Sequence, residues 1–153
     1  MAELTTSIDI DASPATVWQV LTDFSTYPEW NDYMHISGSP TVGSRLHIRP
    51  GPAAGRVPSF KPRVLKADEN RELRWLGHLY VNGLFDGEHR FVIDDLGDGR
   101  SRLTQAEQFS GLFVGPFNRF MGSQTERNFT GVNEALKERA ETLEKSVRSD
   151  AAV

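Results

Sequence analysis

A chain of 153 residues with no cysteine is long enough to bury roughly 70% of its unfolded surface. It excludes a disulfide scaffold, a thiolate zinc site and a cysteine nucleophile. Its 17 Lys and Arg face 21 Asp and Glu, net −4, with both signs scattered along the chain, so it lacks the concentrated basic face of a nucleic-acid binder.

The opening MAELTTSIDIDAS has neither the basic nor the apolar region of a signal peptide. No apolar run approaches the roughly 20 residues that cross a bilayer, so no stable membrane insertion and a cytoplasmic location are expected. Leu4, Thr6, Ile8 and Ile10 alternate with Thr5, Ser7, Asp9 and Asp11, the period of a half-buried strand. Ser13-Pro14 follows as N-cap and first helical position. Val17, Trp18, Leu21 and Phe24 recur at helical spacing, and this helix should end near Asp23. The turn formers and aromatics of TDFSTYPEWND predict a second short helix or turn.

Leu46 and Ile48 alternate with Arg45, His47 and Arg49 ahead of the Gly/Pro-rich loop PGPAAGRVP. Runs at 60–66 and 73–79 flank a tight turn at Glu69-Asn70. Runs at 84–93 and 102–109 flank Leu96-Gly97-Asp98-Gly99, a hairpin signal. Strands joined this closely are antiparallel. From Pro116 the period becomes 3.6, and Phe129, Val132, Leu136, Ala140, Leu143 and Val147 form one stripe. The helix they predict is about 30 residues, or roughly 45 Å, long. From Val132 onward its inner stripe should be purely apolar. This element order defines an α+β fold.

A turn centred on Gly97 would pair Phe85 with Phe109, Gly87 with Glu107, His89 with Gln105 and Phe91 with Leu103 on one inner face. That face is aromatic at both ends and polar in the middle. His89, Gln105 and Glu107 are then either a mutually satisfied network or the polar end of a ligand pocket. For the preceding hairpin, a two-residue turn at Asn82-Gly83 would put Arg74, Leu76, His78 and Tyr80 inside. A bulge or longer loop would bring in Leu73, Trp75, Gly77 and Leu79 instead. The second arrangement is more apolar, matches Phe60, Pro62 and Val64, and is the one adopted. On the last helix, Gln124, Thr125 and Asn128 interrupt an inward stripe of Phe117, Phe120, Met121 and Phe129. Gly131 beside them marks either close packing against Trp18 or Trp30 or room left for a ligand.

Other features carry less. His35, His47 and His78 have no metal-ligand spacing, and Asp94-Asp95…Asp98 lacks the twelve-residue calcium pattern. Asn128-Phe129-Thr130 is a chance sequon within a helix. No GxGxxG, Walker loop or GxSxG occurs. Neither a metal nor a cofactor is expected.

Three stretches resemble a known family. They are Ser13-Pro14 with Val17-Trp18, the turn Tyr27-Pro28-Glu29-Trp30-Asn31, and LRWLG…LFDGEHRF…RLTQAEQFSG. Together they resemble START-like, Bet v 1-type helix-grip (SRPBCC) proteins, and more narrowly the polyketide cyclase/dehydrase-like group. The resemblance implies a curved antiparallel sheet of about seven strands wrapped around a long C-terminal helix, with two short helices after the first strand. It implies one ligand-binding domain over 1–148, a flexible tail over 149–153, and a cavity between sheet and helix. Trp30, with Tyr27 and Tyr33, would lie on one cavity wall. The expected ligand contacts are Trp30, Phe60, Trp75, Phe85, His89, Phe91, Gln105, Glu107, Phe109, Phe117, Met121, Gln124, Thr125 and Asn128.

Fold does not dictate function, and three readings remain open. The chain could bind a small hydrophobic molecule such as a lipid, an aromatic or a polyketide-like compound. It could be a cyclase, aromatase or dehydratase, with His89 as general acid or base and Glu107 orienting its ring. Or it could be an accessory protein whose partner is another protein or a second copy of itself.

Overall fold

A computed structural model describes residues 2–78, 83, 86–112 and 114–151, with side chains at all of these except 2, 114 and 116–122. The first strand, β1 (Ala2–Ile10), leads into α1 (Pro14–Thr22). Ser13 Oγ accepts from the Thr16 N–H at 3.3 Å, Pro14 opens the helix, and Asp23 closes it. A single 3-10 turn, Phe24–Thr26, joins α1 to α2 (Tyr27–Trp30). The buried Tyr27 hydroxyl donates to the Leu21 carbonyl and folds α2 back on α1.

The main sheet is antiparallel, in the order β1, β7 (Arg100–Ser110), β6 (Asp86–Gly97), β5 (Glu72–His78), β4 (Arg63–Asp68). A strand the sequence reading did not identify, β2 (Met34–Ser37), pairs with β3 (His47–Pro50). Only Ile36 of β2 is buried, so no period of two marks it. Ile48 and Phe60 exchange backbone hydrogen bonds of 2.9 and 3.0 Å, which continues the large sheet into the small one. Among the described residues, seven strands thus curve around α3 (Val114–Ala151), the helix-grip α+β architecture.

The turn between β4 and β5 places Asn70 at φ 64, a conformation asparagine tolerates better than most residues. β5 pairs Leu73 with Phe91 and Trp75 with His89, the apolar-inward arrangement. Leu79, Tyr80 and the Val81-Asn82-Gly83-Leu84 turn lie outside the described residues, apart from Gly83.

The register expected for β6 and β7 is corrected by two residues. Gly87 faces Phe109, His89 faces Glu107, Phe91 faces Gln105 and Ile93 faces Leu103. Asp98 and Gly99, at φ 55 and 74, form the two-residue turn themselves, as a type I′ turn requires. Leu96 is extruded as a bulge between the pairs Asp95–Ser101 and Gly97–Arg100. Because the shift is even, every side chain keeps its predicted face.

Ile10, Val17, Leu21, Leu73, Phe91, Leu103, Leu136 and Ala140 form the fully buried core between sheet, α1 and α3. Each large apolar side chain there contributes about 1.5–3 kcal/mol. The helix stripe is not purely apolar beyond Val132. Asn133 and Glu144 are buried, while Val147 is 49% exposed. Glu144 is drawn in by the unpaired N–H groups at the start of α1. It accepts from the Ser13 N–H at 2.7 Å and from Thr16 Oγ1 at 3.2 Å. Glu141 likewise accepts from the Asp11 N–H at 2.9 Å.

Candidate functional site

Strands β5, β6 and β7 bring three inward rows together. Trp75, His89 and Glu107 lie side by side across the sheet, as do Leu73, Phe91 and Gln105, and Gly77, Gly87 and Phe109. Above the first and third rows, facing α3, is a cavity of about 180 Å³. A cavity of roughly 150 Å³ accommodates benzene, so the space suits a molecule of about one or two rings.

The polar middle of the sheet is organised around His89, which is 5% exposed. Its Nε2 lies 2.9 Å from Gln105 Oε1 and its Nδ1 lies 3.0 Å from Glu107 Oε2. The Gln105 amide has one permitted direction. Its Nε2 donates to the Phe129 carbonyl at 3.2 Å and to Asn133 Oδ1 at 2.9 Å, and a carbonyl can only accept. Gln105 therefore turns its oxygen to His89, and His89 Nε2 must carry a hydrogen. One proton is left for the bond between Nδ1 and Glu107. Asn133 in turn donates to Thr6 Oγ1 at 2.8 Å. Trp75 stacks on the His89 ring at a centroid distance of 5.1 Å, and Phe129 meets it edge-on at 4.9 Å. Both nitrogens of His89 are thus used within the protein. Glu107 Oε1 has no hydrogen-bond partner among the described residues and lies over Gly87, where a methyl group would overlap it.

Of the residues expected around the site, Phe60, Trp75, His89, Gln105, Glu107, Phe109, Thr125 and Asn128 border the cavity. Phe91 does not border it; next to His89 on the inner face of β6, it is fully buried in the core. Trp30 packs instead against Tyr27, with centroids 4.7 Å apart. Gln124 is turned away as well. Its Nε2 donates to Asn128 Oδ1 at 2.8 Å, and its side chain lies against Gly55. Phe85 lies outside the described residues, and so do the side chains of Phe117 and Met121.

Sequence reading missed the loop over 51–58. Ala54, Val57 and Pro58 close one side of the cavity, and Asn128 Nδ2 donates to the Ala54 carbonyl at 2.8 Å. Asn128 therefore ties the loop to α3. The available signal was three apolar residues inside a Gly/Pro-rich connector. The nearest neighbour of Gly131 is Tyr33, not Trp18 or Trp30; any methyl group at that position would overlap the Tyr33 ring. At the rim, His78 Nδ1 lies 2.7 Å from Asp86 Oδ1. That hydrogen bond, aided by the Gly83 N–H, holds the Asp86 carboxyl below its ordinary value. Among the described residues no group of three or more His, Asp or Glu is placed to hold a metal ion, and no helix is long and apolar enough to cross a membrane.

A family model described as polyketide cyclase / dehydrase and lipid transport matches residues 1–141. No curated protein matches the sequence. Among solved structures, a START superfamily protein from Mycobacterium smegmatis is 21% identical, with a TM-score of 0.71 over 92% of this chain and 98% of that one. An aromatase/cyclase from Streptomyces sp. R1128 is 18% identical, with a TM-score of 0.70 over 92% and 93%. A norcoclaurine synthase from Thalictrum flavum is 13% identical, with a TM-score of 0.69 over 91% and 93%. At these identities the likeness is one of fold.

Proposed function

The chain belongs to the polyketide cyclase/dehydrase and lipid transport family, and we propose that it binds one small, largely apolar molecule in the cavity between its sheet and α3. A cytoplasmic setting is part of the same proposal. The observation that carries it is the make-up of the cavity. Phe60, Trp75, Phe109, Phe129 and Val132 supply apolar walls, and a few polar atoms converge at one place, the usual composition of a ligand site. Dye displacement with an anilinonaphthalene fluorophore, together with native mass spectrometry, tests it. Saturable one-to-one occupancy is expected. Failure of every apolar probe to occupy the protein overturns the reading.

One observation favours catalysis of the cyclase or dehydratase kind as a second reading: the proton shared between His89 and Glu107 over 3.0 Å at the edge of the cavity. In that reading the roles expected from sequence are exchanged. Glu107 would reach the substrate, and His89 would position it. Loss of deuterium exchange at an acidic C–H of a bound ketone in Glu107→Gln, with binding retained, is the expected result. An unchanged exchange rate removes this reading.

A further inference from the structure

We propose that the ligand is anchored at Glu107 Oε1, and that it is an uncharged, largely apolar molecule carrying a hydroxyl that donates to that oxygen. This deepens the binding reading above and rests on it.

Hydrogen-bond direction carries the argument. Gln105 fixes a hydrogen on His89 Nε2, so a single proton lies between Nδ1 and Glu107 Oε2. If that proton belongs to His89, Glu107 is a carboxylate and Oε1 accepts. If it belongs to Glu107, it sits on Oε2, and Oε1 is the carbonyl oxygen of the acid. Oε1 is an acceptor in both states, so whatever meets it must donate.

Charge narrows the donor. The pair carries no net charge in either state, which gives an ammonium ion no carboxylate to neutralise without the imidazolium beside it. An anionic ligand would face the carboxyl oxygen and find His89 and Gln105 already committed. A neutral hydroxyl fits both conditions.

Shape places the rest of the molecule. Gly77 and Gly87 are neighbours on β5 and β6, with the Phe60 ring against the first and Glu107 Oε1 over the second. A Cβ on Gly77 would come within 3.0 Å of the Phe60 ring. A flat apolar body lying between Phe60 and Phe109, which border the same cavity as Glu107, would present a substituent to Oε1.

The test is calorimetric titration of the full chain, at neutral pH, with 2-naphthol, 2-methoxynaphthalene and naphthalen-2-ylmethylammonium. Naphthol is expected to bind about tenfold or more tightly than its methyl ether, with the ammonium weakest. The preference should vanish in Glu107→Leu. It should survive in Glu107→Gln, whose amide can donate to Nδ1 and keep its oxygen toward the ligand. Naphthol and ether binding within about twofold of each other overturns the anchor but leaves the binding reading intact. Tightest binding of the ammonium overturns the ligand class. Binding of none of the three removes the binding reading, and the anchor with it. The wild-type series decides the matter even if a variant fails to fold.

Discussion

Gln105 holds His89 in one orientation: its amide nitrogen is taken by the Phe129 carbonyl at 3.2 Å, so its oxygen accepts from His89 Nε2 at 2.9 Å. Replacing Gln105 with Leu leaves the His89 Nε2–H and Asn133 Oδ1 buried without partners. Such groups cost about 1–3 kcal/mol each. A loss of roughly 2–4 kcal/mol in urea denaturation is the expected outcome. Nitrogen NMR of the wild type should find a hydrogen on His89 Nε2. A neutral ring protonated only at Nδ1 contradicts the network.

The cap that α3 supplies to α1 is a second test. Glu144 Oε1 accepts from the Ser13 N–H and Oε2 from Thr16, and a negative charge at a helix N-terminus is favourable. Glu144→Ala should destabilise by about 1–3 kcal/mol. Glu144→Gln should cost less, because one amide oxygen still accepts. Equal losses in thermal unfolding would show that charge, rather than hydrogen bonding, carries the effect.

Tyr27 sets an alkaline limit. Burial raises its phenol well above the ordinary value of 10.0, so the fold keeps it neutral while the unfolded chain ionises it. The sign follows from proton counts: above pH 10 the folded state binds more protons, and its stability falls as pH rises. Below pH 10 the contribution is complete. Tyr27→Phe loses the hydrogen bond to Leu21, about 1 kcal/mol at neutral pH. The gap between variant and wild type should close within about one pH unit above 10 and reverse beyond it. A gap that stays constant there excludes this role.

Asn128 joins the 51–58 loop to α3 through the Ala54 carbonyl. Asn128→Ala should leave global stability within about 1 kcal/mol, because a single part-buried hydrogen bond is removed. Amide exchange should accelerate across the loop, and dissociation of any bound fluorophore should quicken. Exchange unchanged at Ala53 and Ala54, whose N–H groups bond to Asp32 and Gly51, would mean that those backbone bonds suffice.

What could be read directly from the residues was whatever short-range chemistry determines. Ser13-Pro14 marked a helix start, Asn70 a turn, and alternation around His89 the inward face of a strand. Parity survived the error in the last hairpin because the extra turn and the bulge at Leu96 moved the register by an even number. The misses came from contacts between distant segments. Gln124 read as cavity-facing because helical spacing shows direction but not which loop lies opposite. The stripe beyond Val132 read as purely apolar because nothing near Glu144 reveals that α1 begins beside it. The sequence left His89 open between a closed network and a reactive group, because only the Phe129 carbonyl, on another element, settles how its two nitrogens are spent.

Gly77 and Gly87 have one more implication. Neither has a positive φ, so neither glycine is demanded by the backbone. What each excludes is volume alone, against Phe60 in one case and Glu107 in the other. A methyl group at Gly77 would press on the Phe60 ring, and one at Gly87 would push Glu107 from its place beside His89. The two glycines therefore set the shape of the chamber, not the course of their strands.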